Sequence, residues 1–152
     1  MKSLLIAVLM IAGTAQAQTL APPISEFSAK QGKTVRGTFQ VQNNGLAATT
    51  FELEVSDMTL DNTGRHLNPV PPTEHVIVTP SSGRLGPKEI RSFDYQITCD
   101  TPTCAVLFRV GMTIGHTKEL LVKAWVEHAV YVSDSKHPRM DALQIAGLVL
   151  KQ

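Results

Sequence analysis

Cysteine, aromatic side chains and surplus charge are all scarce in this chain, and each scarcity narrows what it does. Two cysteines are too few ligands for a thiolate metal site of their own. Aromatics make up 5% of residues, and the apolar set is dominated by β-branched residues, which favours strands over helices. Lys plus Arg number 14 against 13 Asp plus Glu. One of those cations, Lys2, belongs to an N-terminal leader, so the remainder is neutral. A neutral chain with no clustered basic run does not suit nucleic acid. No apolar run beyond the leader is long enough to span a membrane, which takes about 20 residues.

Catalytic patterns are missing too. His66, His75, His116, His128 and His137 are scattered one per segment, without the i, i+4 or H-x-H spacing of a metal face, and read as loop or strand-surface residues. Asp57 with Asp61, or Asp134 with Asp141, could in principle form an acid pair. No nucleophile motif, phosphate-cradling loop or flanking base accompanies them. The expectation is a protein that is not an enzyme and takes no metal or cofactor.

What is present starts with residues 1–17, where Lys2, an apolar core at 4–12 and Ala15-Gln16-Ala17 have the three parts of a cleaved secretory signal. The mature chain is then expected to begin at Gln18 and to work in the periplasm or outside the cell. Residues 19–28 hold Pro22 and Pro23 and read as one short, irregular strand. Residues 34–42 alternate, with Val35, Gly37, Phe39 and Val41 on one side. Residues 50–58 alternate likewise, with Phe51, Leu53 and Val55 inward. The turn- and proline-rich stretch 60–73 reads as a surface loop.

Residues 75–79 and 90–98 are extended runs separated by Pro80, Gly83, Gly86 and Pro87, read as a loop. Cys99 and Cys104 follow, flanking Pro102, with residues 105–114 alternating after them. This reads as a hairpin tied by a disulfide; a redox or metal pair is disfavoured because the spacing is not C-x-x-C. Residues 120–132, LLVKAWVEHAVYV, form a long apolar run. Leu121, Trp125 and His128 fall at helical spacing, but β-branched density and Val130-Tyr131-Val132 favour a strand. After a linker-like break at 133–139, residues 141–152 supply Leu143, Ile145, Leu148, Val149 and Leu150 for a further apolar strand.

The count is about seven short strands, spaced as in an immunoglobulin-like antiparallel β-sandwich formed by residues 18–132. In such a fold an edge strand exposes backbone N–H and C=O groups on which another chain can add a strand. Residues 120–132 are the candidate, with Leu121, Val122, Ala124, Val126, His128 and Val130 as the partner-binding residues. The run is apolar on both faces: Val122, Ala124, Val126, Val130 and Val132 on one, Leu121, Trp125, Ala129 and Tyr131 on the other. One face serves the core; the other needs a cover, either a partner or the rest of the domain.

The order of Lys33-Thr34-Val35, Val41-Gln42-Asn43-Asn44, residues 51–55, Val78-Thr79-Pro80, Arg84-Leu85, Pro87, Arg91 and the long strand before Tyr131 resembles the first domain of the PapD-like periplasmic pilus chaperones. The resemblance covers residues 21–132. It implies a seven-stranded immunoglobulin-like domain whose last strand pairs with an unfinished pilus subunit. The family anchors that subunit's carboxylate with basic residues on its first and last strands; here those strands offer Pro22, Pro23 and Ile24, and Glu127-His128. The expectation is an exported, PapD-like chaperone or assembly factor that binds a partner polypeptide such as a pilus or surface subunit. The alternative is a structural or adhesive surface domain whose tail, residues 141–152, is donated to a neighbour or folded back.

Overall fold

The computed structural model describes residues 18–58, 72, 75–116 and 121–145. The expected signal at 1–17, nearly all of the loop at 60–73, His66 and the tail beyond 145 lie outside the described residues. The chain runs β1 (Thr19–Ala21), β2 (Ile24–Ser28), β3 (Thr34–Gln42), β4 (Thr49–Asp57), β5 (His75–Thr79), β6 (Ser82–Leu85), β7 (Ile90–Thr98), β8 (Thr103–His116), β9 (Leu121–Ser133) and α1 (Pro138–Ile145). One sheet has the order β1-β3-β7-β5, the other β2-β9-β8-β4-β6.

The alternation legible in β3, β7 and β8 sets the interior. Successive side chains of a strand point to opposite faces, so every second residue enters the space between the sheets. Phe39, Val41, Phe93, Tyr95 and Ile97 enter from one sheet and Val106, Phe108, Val110, Met112 and Val130 from the other, none more than 2% exposed. Phe39 stacks on Phe93 with ring centroids 5.0 Å apart, and Phe51 meets Phe93 edge-on at 5.3 Å. Fully burying a side chain of this size contributes about 1.5–3 kcal/mol. Two sheets packed over such a core make the all-β, immunoglobulin-like sandwich that the strand spacing predicts.

The strand count differs from expectation: nine among the described residues, not seven. Residues 19–28 are two strands in opposite sheets. Pro22 and Pro23 offer no N–H to a ladder, so the chain breaks there; β1 pairs antiparallel with β3, and β2 crosses over to pair with β9. That second pairing is parallel, so the sandwich is not wholly antiparallel. The ninth strand, β6, lies in the stretch expected to be a loop and pairs with β4, burying Leu85 completely.

Two more expectations change. Cys99 and Cys104 are bonded, but β7 and β8 belong to different sheets, so the bridge closes an inter-sheet corner, not a hairpin. The ring is small, and in the loop-entropy model it contributes about 2 kcal/mol. The segment expected to open an apolar C-terminal strand is helical from Pro138 to Ile145. Proline is pre-organised for a first helical position. Ser133 and Ser135 donate hydrogen bonds to Asp141 in the first turn, the former at 2.7 Å.

Candidate functional site

β9 is bordered by β8 along its whole length but by β2 only from Ala129 to Ser133. The Ala129 N–H donates to the Pro23 carbonyl at 2.9 Å, and the Ser133 carbonyl accepts from the Ala29 N–H at 2.9 Å. Backbone groups of a strand alternate in direction, so the odd-numbered residues of β9 aim their N–H and C=O toward the β2 side. At Lys123 and Trp125 that side has no neighbouring strand among the described residues. Such groups are a template for another chain.

Side chains along this open stretch are correspondingly uncovered. Leu121 is 58% exposed and Val122 39% exposed, on opposite faces of the strand, while Ala124, Trp125 and Val126 are half-buried. Val126 still packs against the core. On the outer face the Trp125 ring lies over Gly111, where a Cβ would come within 2.7 Å of it. The Arg109 guanidinium sits 4.9 Å from the Trp125 ring centroid and the Lys123 ammonium 6.0 Å. Arg109 also pairs with Glu54 at 3.4 Å and Glu127 at 3.1 Å, and Lys123 pairs with Glu52. Cations over the ring and carboxylates around them give Trp125 a polar frame beside the open edge. The sequence reading passed over this cluster, although Arg109, Lys123 and Glu127 interrupt their apolar strands at outward positions.

The other half of β9 is closed. Val130 is fully buried and Tyr131 is 6% exposed, although Tyr131 points outward. α1 lies against β9, β8 and β2 on that face. The Arg139 N–H donates to the Glu26 carboxylate at 3.1 Å, and the Tyr131 hydroxyl donates to Met58 Sδ at 3.2 Å. Burial pushes the Tyr131 hydroxyl up, with Arg139 opposing. Asp141 is held below the usual carboxylate range by the hydroxyls of Ser135 and Ser133.

His128 marks the boundary. It is fully buried, not a surface residue as expected. A carbonyl only accepts, so His128 Nδ1–H donates to the Pro22 carbonyl at 2.7 Å. Nε2 then accepts from the Tyr95 hydroxyl at 3.2 Å. A Cβ at Gly37 would stand 2.3 Å from the Tyr95 oxygen, so glycine there lets the phenol reach the imidazole. Phe39 stacks on the ring with centroids 4.7 Å apart. Burial lowers the His128 pKa, and the Pro22 bond opposes the shift. Neutral His128 thus pins the corner where the chain leaves β1 for β2. Of the six residues expected to bind a partner, Leu121, Val122, Ala124 and Val126 lie on the open half, whereas His128 and Val130 are enclosed in the core.

A hollow of about 490 Å³ on the opposite sheet is lined by Arg36, Thr38, Ile77, Thr79, Asp94 and Gln96 among others. It lies on a different sheet from this edge, and its Thr38 hydroxyl is already donated to Asp94 at 2.7 Å. No group of three His, Cys, Asp or Glu among the described residues is placed to hold a metal ion.

No protein-family model matches the sequence, and no curated protein matches it. Solved structures do match the fold. PapD-like domain 7 of human CEP192 superposes with a TM-score of 0.59 at 15% identity, covering 89% of this chain and 96% of that one. The fold is PapD-like. The class 5 fimbriae chaperone CfaA gives 0.57 at 13% identity, covering 79% of this chain and 57% of that one. A chain in the complex of the Salmonella enterica SafA pilin with the SafB chaperone gives 0.56 at 12% identity, with 79% and 55% covered. The PapD-like sandwich described here therefore spans a little over half the length of those two chains.

Proposed function

We propose that this protein is an exported, non-enzymatic PapD-like domain that holds a partner polypeptide by β-strand addition to the open half of β9, as a periplasmic chaperone or assembly factor for a pilus or surface subunit. One observation carries the reading. β2 seals β9 only from Ala129 onward, leaving the backbone of Lys123 and Trp125 and the side chains of Leu121 and Val122 exposed along one edge. Alternate side chains of an added strand would meet Val122, Ala124 and Val126 on the inner side and Leu121 and Trp125 on the outer side. The likeness to CfaA and to the complex of SafA with SafB supports the class of partner. Export rests on the three-part pattern of residues 1–17. The alternative, a surface domain that donates its tail, is weakened by α1, which docks the first part of that tail on its own sheet.

The test is a backbone lesion. Lys123→Pro removes an N–H aimed at the open side and spares the ladder to β8, a placement that edge strands tolerate. Isotope-labelled protein titrated with synthetic eight- to ten-residue peptides of alternating apolar side chains is expected to show amide shifts confined to the first half of β9. Lys123→Pro should abolish them, and Lys123→Ala should keep them. Shifts that survive the proline, or none in the unaltered protein, remove strand addition.

A further inference from the structure

The outer face of the four-stranded sheet carries a second arrangement of side chains, away from β9. β3, β7 and β5 lie side by side there, and their register sets Arg36, Gln96 and Ile77 in one row and Thr38, Asp94 and Thr79 in the next. These six line the hollow of about 490 Å³. That volume suits a small molecule.

Three of the six keep unused binding capacity. Arg36 is exposed and has no ion-pair partner among the described residues. Asp94 is exposed and oriented, because the Thr38 hydroxyl donates to its Oδ1 at 2.7 Å, and its second oxygen is left for another donor. Ile77 is 62% exposed and is the large apolar side chain of the two rows. Arg36 and Asp94 are diagonal neighbours in the register, as are Asp94 and Ile77, which puts each pair about 7–8 Å apart at Cβ. Arg36 and Ile77 stand two strands apart, about 9–10 Å, with Gln96 between them. A cation, a carboxylate and an aliphatic group thus occupy the corners of a triangle.

The complement of that triangle is a molecule whose carboxylate, ammonium and apolar branch radiate from one carbon. We infer that the hollow binds a free α-amino acid with an aliphatic side chain. The planar fork of Arg36 donates to the ligand carboxylate, the free oxygen of Asp94 accepts from the ammonium, and the aliphatic branch covers Ile77. Gln96 both donates and accepts, so it serves the two charged groups alike. One end of a peptide brings a single charge and satisfies Arg36 or Asp94, not both. Water screens both side chains, so the expected Kd is on the order of 1 mM. The hollow shares no residue with the β9 edge, so strand addition and amino-acid binding stand or fall separately.

The test is a titration of isotope-labelled protein with L-leucine to about ten times that concentration. Amide shifts are expected at residues 36–38, 77–79 and 94–96, with β9 unmoved. Arg36→Gln and Asp94→Asn lie on the outer face, so each should keep the folded spectrum while weakening L-leucine about tenfold, as loss of a charged hydrogen-bond partner does. Ile77→Ser should weaken L-leucine and leave glycine unchanged. N-acetyl-L-leucine lacks the ammonium and L-leucinamide the carboxylate, and each should bind about tenfold more weakly than L-leucine. The site is overturned if L-leucine moves no amide around the hollow, or if Arg36→Gln or Asp94→Asn binds it as tightly as the unaltered protein. A match to L-leucine by either blocked derivative would make the hollow a contact for one charge alone, and overturns it too.

Discussion

From Ala129 to Ser133, β9 has a strand on each side, α1 across its outer face and the core beneath it. From Leu121 to Val126 the same strand, just as apolar, is paired among the described residues with β8 alone. The sequence of the two halves differs little: Val122, Ala124 and Val126 face inward in one, Val130 and Val132 in the other. What separates them is supplied from elsewhere in the chain. β2 arrives because Pro22 and Pro23 break the first strand, and α1 lies against the sheet with Asp141 tied to Ser133 and Ser135. Cover is a property of topology, and β9 received it over only part of its length.

The largest test of that contrast places one substitution at matched positions. Val130→Lys buries an ammonium with no partner and is expected to cost about 3–5 kcal/mol, enough to unfold a marginal domain. Val122→Lys, on the same face, should stay within about 0.5 kcal/mol of the unaltered protein. Urea titration separates them, and equal losses would mean that the open half is closed in solution.

A smaller effect is expected at the boundary between the halves. Burial lowers the pKa of His128 in the folded protein, so between that lowered value and about 6.5 the unfolded chain holds more protons than the folded one. Stability is then fully present above the unfolded value and is lost as pH falls through the folded one. Thermal melting should decline on acidification from pH about 7, and His128→Gln should flatten that slope even if it lowers the plateau. A slope unchanged by His128→Gln would show that other groups govern it. The smallest effect is at the sealed end. Asp141→Asn weakens the tie of α1 to Ser133 and Ser135, so amide exchange in α1 should quicken while the melting temperature hardly moves. Unchanged exchange would assign the docking of α1 to its apolar contacts alone.

Much of the sandwich was legible because its strands alternate strictly. Phe39 and Val41 in β3 and Val106, Phe108, Val110 and Met112 in β8 lie inside, as period two requires. β6 was illegible, since Ser82-Gly83-Arg84 has no strand composition and is extended only by pairing with β4. α1 was misread because Leu143 and Ile145 suit a strand as well as a helix; Pro138 with Asp141 three residues on was the helix-start signal passed over. The burial of His128 was available from parity, as it falls between Val126 and Val130 on the inward face. The open edge could be expected from a long apolar strand, but its limits could not. They depend on where β2 stops, and the register of a distant parallel pair leaves no mark in either segment.

The sole tryptophan of the chain happens to stand on that edge, half-buried over Gly111 and framed by Arg109 and Lys123. Its indole emission is therefore a built-in reporter that needs no label. Whatever arrives beside β9, whether peptide, subunit or second copy, will change the water around one fluorophore, so occupancy of the edge has a colour of its own.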